Sequence, residues 1–320
     1  MIVRWLLVSL SAVFAGIACA QSYPVKPVRI VVAFTPGGPS DYAARVVQPR
    51  LSEAFGQPVI IDNRPGAGGA LATELVARAA PDGYTLLVGN TGTLTVLPHL
   101  LAKIGYDAQR DFTPITNLIG GPSFLLVHPS LPAKNVRELI ALAKREPGKL
   151  TYASAGVGQI SHMNGELLKL LAHIDLLHVP YKGTASITPE LLGGQVMITF
   201  STAVENLQLV KAGRVRLLAV TGKERLAMIP DTPTMAEAGV PGFESLNWNG
   251  IVGPARLPPE IVDRLNREFV RAIKMPDAVE KVAAQGNFVI ADTPEQFAAY
   301  IRADFEKWGR VVKEAHIRIE

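Results

Sequence analysis

Apolar and polar positions along this chain fall into short blocks of two alternating kinds. Val28-Arg29-Ile30-Val31-Val32-Ala33-Phe34 is a β-branched apolar run and predicts a buried strand. Pro39–Phe55 follows with helical spacing, and Gly56 stands just past it as a stop. Pro49 inside that stretch predicts a kink or an early end. Val59–Asn63 predicts a second strand, Ala70–Ala80 a helix closed by Pro81-Asp82-Gly83, and Tyr84–Gly89 a third strand. The rhythm returns with a strand at Phe124–His128, a helix at Asn135–Arg145, a strand at Leu150–Ala153 and a helix at Ile160–Leu171. Leu176–Val179, Val196–Phe200 and Arg216–Val220 predict further strands, with Glu190–Leu192 and Val204–Lys211 in the helices between. Such alternation predicts an α/β fold, each domain a mostly parallel sheet flanked by helices.

After Thr221 the texture changes. Pro230-Asp231-Thr232-Pro233 and Gly239-Val240-Pro241-Gly242 are turn-rich, and Trp248–Gly253 is extended and apolar. Helices are expected at Pro259–Lys274, Asp277–Gln285 and Pro294–Lys313, with Val262, Leu265, Phe269, Val270 and Ile273 at core-facing spacing. Too few strands remain for a third sheet. The economical arrangement crosses from a first unit to a second near Gly120-Gly121-Pro122-Ser123 and returns near Asn247-Trp248-Asn249-Gly250. It predicts a discontinuous domain 1 (21–122 and 249–320), a domain 2 (123–248), tail helices packed on the first unit, and a hinged cleft. Domain interfaces are favoured ligand sites.

The length of 320 residues suffices for two domains, and 48% hydrophobic against 19% charged residues supports a sizeable core. Arg4, the apolar stretch Trp5–Ile17 and Ala18-Cys19-Ala20 read as a signal peptide over residues 1–20, with a periplasmic destination. The apolar stretch is short for a membrane span, so a retained anchor is the lesser alternative. Cys19 is the only cysteine, so the mature chain has no disulfide, which fits a bacterial periplasm. Lipidation at Cys19 is a further alternative, although Gly16-Ile17-Ala18 lacks the usual leucine. The formal charge of +4 falls to +3 without Arg4. Its basic residues are scattered, without aromatic interleaving, which argues against a nucleic-acid partner and tolerates an anionic ligand.

Two glycine-rich turns carry the candidate chemistry. Thr35-Pro36-Gly37-Gly38-Pro39-Ser40-Asp41 and Ser154-Ala155-Gly156-Val157-Gly158-Gln159 each join a strand to a helix. Such a turn aims backbone N–H groups and the positive end of a helix dipole at one spot, which suits a carboxylate or phosphate. Two ordinary turns are the plain alternative; facing each other across a cleft they would form a clamp. The candidate ligand contacts are Thr35, Gly37, Gly38, Ser40 and Asp41 on one side, and Ser154, Ala155, Gly156, Gly158 and His162 on the other. Thr91 and Thr93, after the third strand, and Ser201, at the end of a later one, are candidate hydroxyl donors, with capping as the alternative role for the threonines.

Other chemistries lack their patterns. Gly156-x-Gly158-x-x-Ser161 misses the third glycine and the acidic residue of a dinucleotide fingerprint, and Gly66-Ala67-Gly68-Gly69 lacks a P-loop ending, so no cofactor is expected. The six histidines show no metal-ligand spacing. Ser161 and His162 are neighbours on a helix and do not face each other, which leaves a cleft hydrolase as a remote rival. Trp308 is expected in the core, while Trp248 is open between packing and stacking on a ligand.

Ordered motifs run from Tyr23-Pro24 to Ala315. They include Pro36-Gly37-Gly38-x-x-Asp41, Asn63-Arg64-Pro65-Gly66-Ala67-Gly68-Gly69, Pro81-Asp82-Gly83-Tyr84, His178-Val179-Pro180-Tyr181-Lys182-Gly183 and Pro233-Thr234-x-x-Glu237-Ala238-Gly239. In these the chain resembles the Bug (TctC-type) periplasmic solute-binding receptors of tripartite tricarboxylate transporters. The resemblance implies a Venus-flytrap fold, no catalytic activity, and capture of a small carboxylate through backbone N–H groups, small hydroxyls and ordered waters. It implies delivery to membrane transporter subunits, or reporting to a sensor kinase, by a protein expected to be monomeric. Asp41 would organise its loop rather than touch an anion. Arg64 and Lys182 either add positive charge near the cleft or pair on the surface. Two departures stand out: Ala155 and Val157 replace common polar residues, and Ser201 stands where many members carry an amine-recognising Asp. An amino-acid ligand is therefore not expected; a less polar acid, aromatic or otherwise, or a simple dicarboxylate is.

Overall fold

Val28, Ile30, Val31 and Val32 are fully buried, which places β1 (Val28–Val32) inside a sheet rather than at its edge. These strands and their helices belong to a computed structural model that describes residues 23–181 and 183–317. The signal peptide, Cys19 and Lys182 lie outside the described residues.

Helix α1 (Pro39–Phe55) runs uninterrupted through Pro49 and ends at Gly56, whose φ of 60° is the left-handed stop. Buried Val47, Leu51 and Phe55 continue one apolar stripe past the proline, so tertiary packing offsets the lost helical hydrogen bond. β2 (Val59–Asn63), α2 (Ala70–Ala77) and β3 (Thr85–Asn90) complete the first unit, with β1 pairing in parallel to both β2 and β3. A wide π-type turn over Thr91–Val96 and the short α3 (Leu97–Leu100) follow.

β4 is a single strand from Phe112 to Val127, sixteen residues long, whereas the sequence pattern predicts a strand only from Phe124. Pro114, Gly120-Gly121 and Pro122 read as chain punctuation but lie within it. The glycines answer a close approach: a Cβ on Gly120 would press on Ile290, and one on Gly121 would strike Asn287. Beyond β4 come α4 (Val136–Arg145), capped by Asn135, then β5 (Thr151–Ser154), α5 (Ile160–Ala172), β6 (Leu177–Pro180) and α6 (Ile187–Leu192). β7 (Ile198–Thr202), α7 (Ala203–Lys211) and β8 (Arg216–Val220) finish the second unit.

β9 (Leu246–Pro254) then returns between β3 and β4, antiparallel to both. The first part of β4 pairs with β9, and its last residues, Ser123–Val127, pair antiparallel with β7 and β8. β5 pairs in parallel with β6 and β7. Each unit thus has a parallel core of three strands, bordered by antiparallel strands of the crossing. At the crossing, Ser245 N–H donates to Thr221 O and Thr221 N–H to Ser123 O, each at 2.9 Å.

The chain ends in α8 (Pro259–Ile273), α9 (Pro276–Ala284), β10 (Phe288–Val289, antiparallel to β4) and α10 (Pro294–Glu314). α8 packs on the first sheet as its apolar spacing predicts. α10 does not stay there. Phe297 and Ile301 join a core with Val31 and Leu87, while Trp308, Val311 and Val312 join the core of Leu125, Tyr152 and Phe200. At about 1.5 Å per residue its twenty-one residues reach about 30 Å, enough to contact both units. Buried Asp304, midway along, accepts from Trp248 Nε1 (2.9 Å) and Thr95 Oγ1 (2.8 Å), so both Trp248 and Trp308 are core residues.

Candidate functional site

The first loop is shaped by Asp41. Its carboxylate is buried and accepts from the Gly37 N–H (2.9 Å), Asn63 Nδ2 (3.0 Å) and Arg45 Nε (2.8 Å). Burial alone would raise its pKa, but the hydrogen bonds from Arg45, Gly37 and Asn63 outweigh burial and hold the carboxyl below its usual range. Asp41 therefore organises the loop. The N-cap of α1, Gly38, supplies no side chain, and Pro39 has no N–H. The first-turn N–H groups of Ser40 and Asp41 have no helical acceptor. Ser40 Oγ donates to Asn249 Oδ1 (2.6 Å) and accepts from Asn90 Nδ2 (3.1 Å).

The second loop is shaped by side chains bonding its own amides. Ala155 N–H donates to Ser161 Oγ (2.9 Å), Gly156 N–H to Ser154 Oγ (3.2 Å) and Gly158 N–H to His162 Nδ1 (3.1 Å). The N–H groups that the sequence pattern offers to a ligand at Ala155, Gly156 and Gly158 are thus engaged within the loop. Donors remain one step on, where Gln159 opens α5 without a side-chain cap and the first-turn amides of Ile160, Ser161 and His162 have no helical acceptor. Ser161 and His162 each bond their own loop, which gives no support to a nucleophile–base pair.

A largely buried polar stack supports this loop from behind. The His162 and His178 rings stack at 4.0 Å between centroids, and Tyr152 stacks on His178 at 4.8 Å. His178 Nε2 lies 2.6 Å from Ser154 Oγ. Glu166 accepts from Tyr152 Oη and Lys169 Nζ (3.1 Å). Burial, with His178 and Lys169 nearby, pushes His162 down to about 3. Burial and then Lys169 push His178 down to about 4, so both rings are neutral near pH 7. With Nδ1 accepting, the His162 proton sits on Nε2, 4.0 Å from Glu166.

Both loops line one cavity of about 430 Å³: Pro39 and Ser40 from the first, Val157, Gly158, Gln159 and Ile160 from the second. A second chamber of about 260 Å³ adjoins it, lined by Gly37, Gly38, Tyr42, Thr184 and Thr202 among others. Pro39, Asn247 and Asn249 border both. Among the described residues, none lining either chamber is charged.

Not every candidate from the sequence lines a chamber. Thr93 forms a capping box with Asn90, and Thr91 Oγ1 donates to Leu246 O (3.1 Å); both hydroxyls serve the fold. Thr35 is exposed beside the loop. Ser154, Ala155, Gly156 and His162 lie behind the lining and shape it. Ser201 Oγ accepts from Asn206 Nδ2 (2.8 Å), and the next residue, Thr202, faces the second chamber. Arg64 pairs with Asp62 at 3.0 Å on the surface.

Sequence reasoning missed Asn90, Asn247 and Asn249. A signal was available in β9. Trp248 and Gly250 share the face that meets Phe297, so Asn247 and Asn249 occupy the other face. Two amides on one face of an otherwise apolar strand mark a polar cleft. Among the described residues there is no group of His, Cys, Asp or Glu suited to hold a metal ion, and no helix is long and apolar enough to cross a membrane.

Residues 43–317 match the family model described as tripartite tricarboxylate transporter family receptor, TctC. The protein BugT of Bordetella pertussis is 34% identical over 310 residues, covering 96% of this chain and 95% of its own. A solved R. palustris protein with adipate is 34% identical at a TM-score of 0.81, covering 93% of this chain and 100% of its own. MatC from Rhodopseudomonas palustris with bound malate is 34% identical at a TM-score of 0.77, covering 91% and 100%. The fold, the paired loops and these matches make one assignment: the chain belongs to the TctC family of tripartite tricarboxylate transporter receptors.

Proposed function

We propose that this chain is a periplasmic solute-binding protein that captures a small organic carboxylate between its two loops and delivers it to a membrane transporter. The observation that carries this reading is the arrangement of α1 and α5. Both helices present N-termini without side-chain caps to one cavity, and no described lining residue is charged. Helix N-termini hold an anion through backbone N–H groups and the dipole. An uncharged lining leaves those amides as the dominant attraction. Two relatives of similar fold were solved with carboxylates, adipate and malate.

In this reading residues 21–122 and 249–320 form one domain and 123–248 the other. The ligand favours the closed state because only closure brings both helix ends to it. α10 packs against both units, so closure has to keep its contacts with each. Titration calorimetry against mono- and dicarboxylates, amino acids, a neutral sugar and divalent cations tests the reading. Carboxylate binding is expected; binding of a sugar or cation with no carboxylate response would overturn it. Ligand-dependent capture of transporter subunits from membranes, as against a sensor kinase, tests the delivery step.

A further inference from the structure

The 430 Å³ chamber has two chemically different sides. Ser40, Asn90, Asn247 and Asn249 form a polar side next to the α1 N-terminus. Phe34, Leu97 and Leu101 form an apolar side, all part of one hydrophobic cluster of the first unit. That side closes around the Gly68-Gly69 turn. A Cβ on Gly68 would meet Leu97 at 3.6 Å, and one on Gly69 would meet the Phe34 ring at 3.4 Å. From the second loop Val157 lines the same chamber and is 38% exposed, a large apolar side chain left open to the cleft. An apolar surface exposed inside a concave site marks what the ligand covers.

The polar side is equally informative. An α-amino group would meet side-chain amide oxygens there but no opposite charge, since no carboxylate is among the described lining residues, and a buried cation held without a counter-charge is costly. A second carboxylate directed at the apolar side would lose its hydration against Phe34, Leu97 and Leu101. We propose that the ligand is an aromatic or alicyclic monocarboxylate, its single carboxylate at the helix ends and its ring against Phe34, Leu97, Leu101 and Val157. This rests on the cleft being a carboxylate site.

Calorimetry on the mature chain with benzoate, cyclohexanecarboxylate, adipate, malate and aspartate separates the two readings. Benzoate or cyclohexanecarboxylate is expected to bind at least about tenfold tighter than adipate or malate, with aspartate weakest. Val157→Ser, at a 38% exposed position, is expected to weaken the ring-bearing probe roughly threefold to tenfold and adipate by less, so that the preference for the ring narrows. Adipate, malate or aspartate binding as tightly as either ring-bearing probe overturns the inference and leaves the carboxylate reading standing. An unchanged ring-probe affinity in Val157→Ser also overturns it. Failure of all five probes while a sugar binds overturns both.

Discussion

The Ser40 hydroxyl donates to Asn249 Oδ1 at 2.6 Å, joining two buried residues 209 positions apart. Asn90 Nδ2 donates to the same Ser40 oxygen at 3.1 Å. One hydroxyl thus ties the first turn of α1 to the end of β3 and to the returning strand β9. Ser40→Ala leaves one buried acceptor and one buried donor without this partner, a loss of about 1–3 kcal/mol. Denaturant unfolding checks this, and an unchanged midpoint with unchanged carboxylate affinity would show that the hydroxyl does not hold the loop.

Asn247 borders both chambers but is only part-buried, so its amide serves the cleft more than the core. Asn247→Ala is expected to change stability by less than about 0.5 kcal/mol and to weaken carboxylate binding by about 1 kcal/mol or more. Calorimetry and thermal melts on one sample read both. A lower Tm with unaltered affinity would move Asn247 from the site to the scaffold.

Asp41→Asn keeps the shape of the side chain and removes its charge. Three donors, Gly37 N–H, Asn63 Nδ2 and Arg45 Nε, would then face one oxygen and one amide group. At least one bond is lost, costing about 1–3 kcal/mol. Carboxylate affinity is expected to fall although a negative charge has been removed from the loop, because the loop shape decides where the α1 amides point. A tighter complex would mean that simple repulsion governs instead.

His162 makes stability depend on pH. Its pKa is depressed from 6.5 to about 3 in the folded state. The unfolded chain therefore binds more protons than the folded chain between those values. The stabilisation from the neutral ring is fully present above about pH 6.5 and is lost progressively as pH falls towards 3. Between pH 7 and 5 the loss is about 2 kcal/mol, with His178, depressed to about 4, acting in the same direction. Tm should fall over this range, and less steeply in His162→Gln, whose amide oxygen can still accept from Gly158 N–H. Parallel profiles for the two proteins would assign the dependence elsewhere.

Gly250 lies where β9 meets α10. A Cβ there would run into the Phe297 ring and come within 2.9 Å of Thr116 O. Gly250→Ala is expected to destabilise by about 1–3 kcal/mol through overpacking. A chemical denaturation curve of wild-type midpoint would show that α10 can shift away without cost.

Local pattern made much of this legible. The bounds of α1 and β2 follow directly from an apolar stripe ended by Gly56 and from the run Val59–Asn63. The cap at Asn135 and the proline starts of α8 and α10 are local chemistry too. The family itself was legible from ordered motifs, and the match over residues 43–317 agrees. Where the reading fell short, a distant partner had overridden a local signal. Gly120, Gly121 and Pro122 signal a break, yet β4 continues because β9 and β10 pair with it and the 286–290 segment needs the space.

The sequence by itself determined that two strand–helix turns carry unpaired amides, because helix termini and glycine turns are local geometry. Only the tertiary structure decided which amides remain for a ligand. Ser161 and His162 reach back to engage the second loop, Asp41 engages the first, and the open donors move to the first turns of α1 and α5. It likewise decided that Asn247 and Asn249 face the cleft and that Phe34, Leu97 and Val157 share one chamber. Those residues are far apart in the chain, and a preference between ligands depends on the distances between them, which no local pattern encodes.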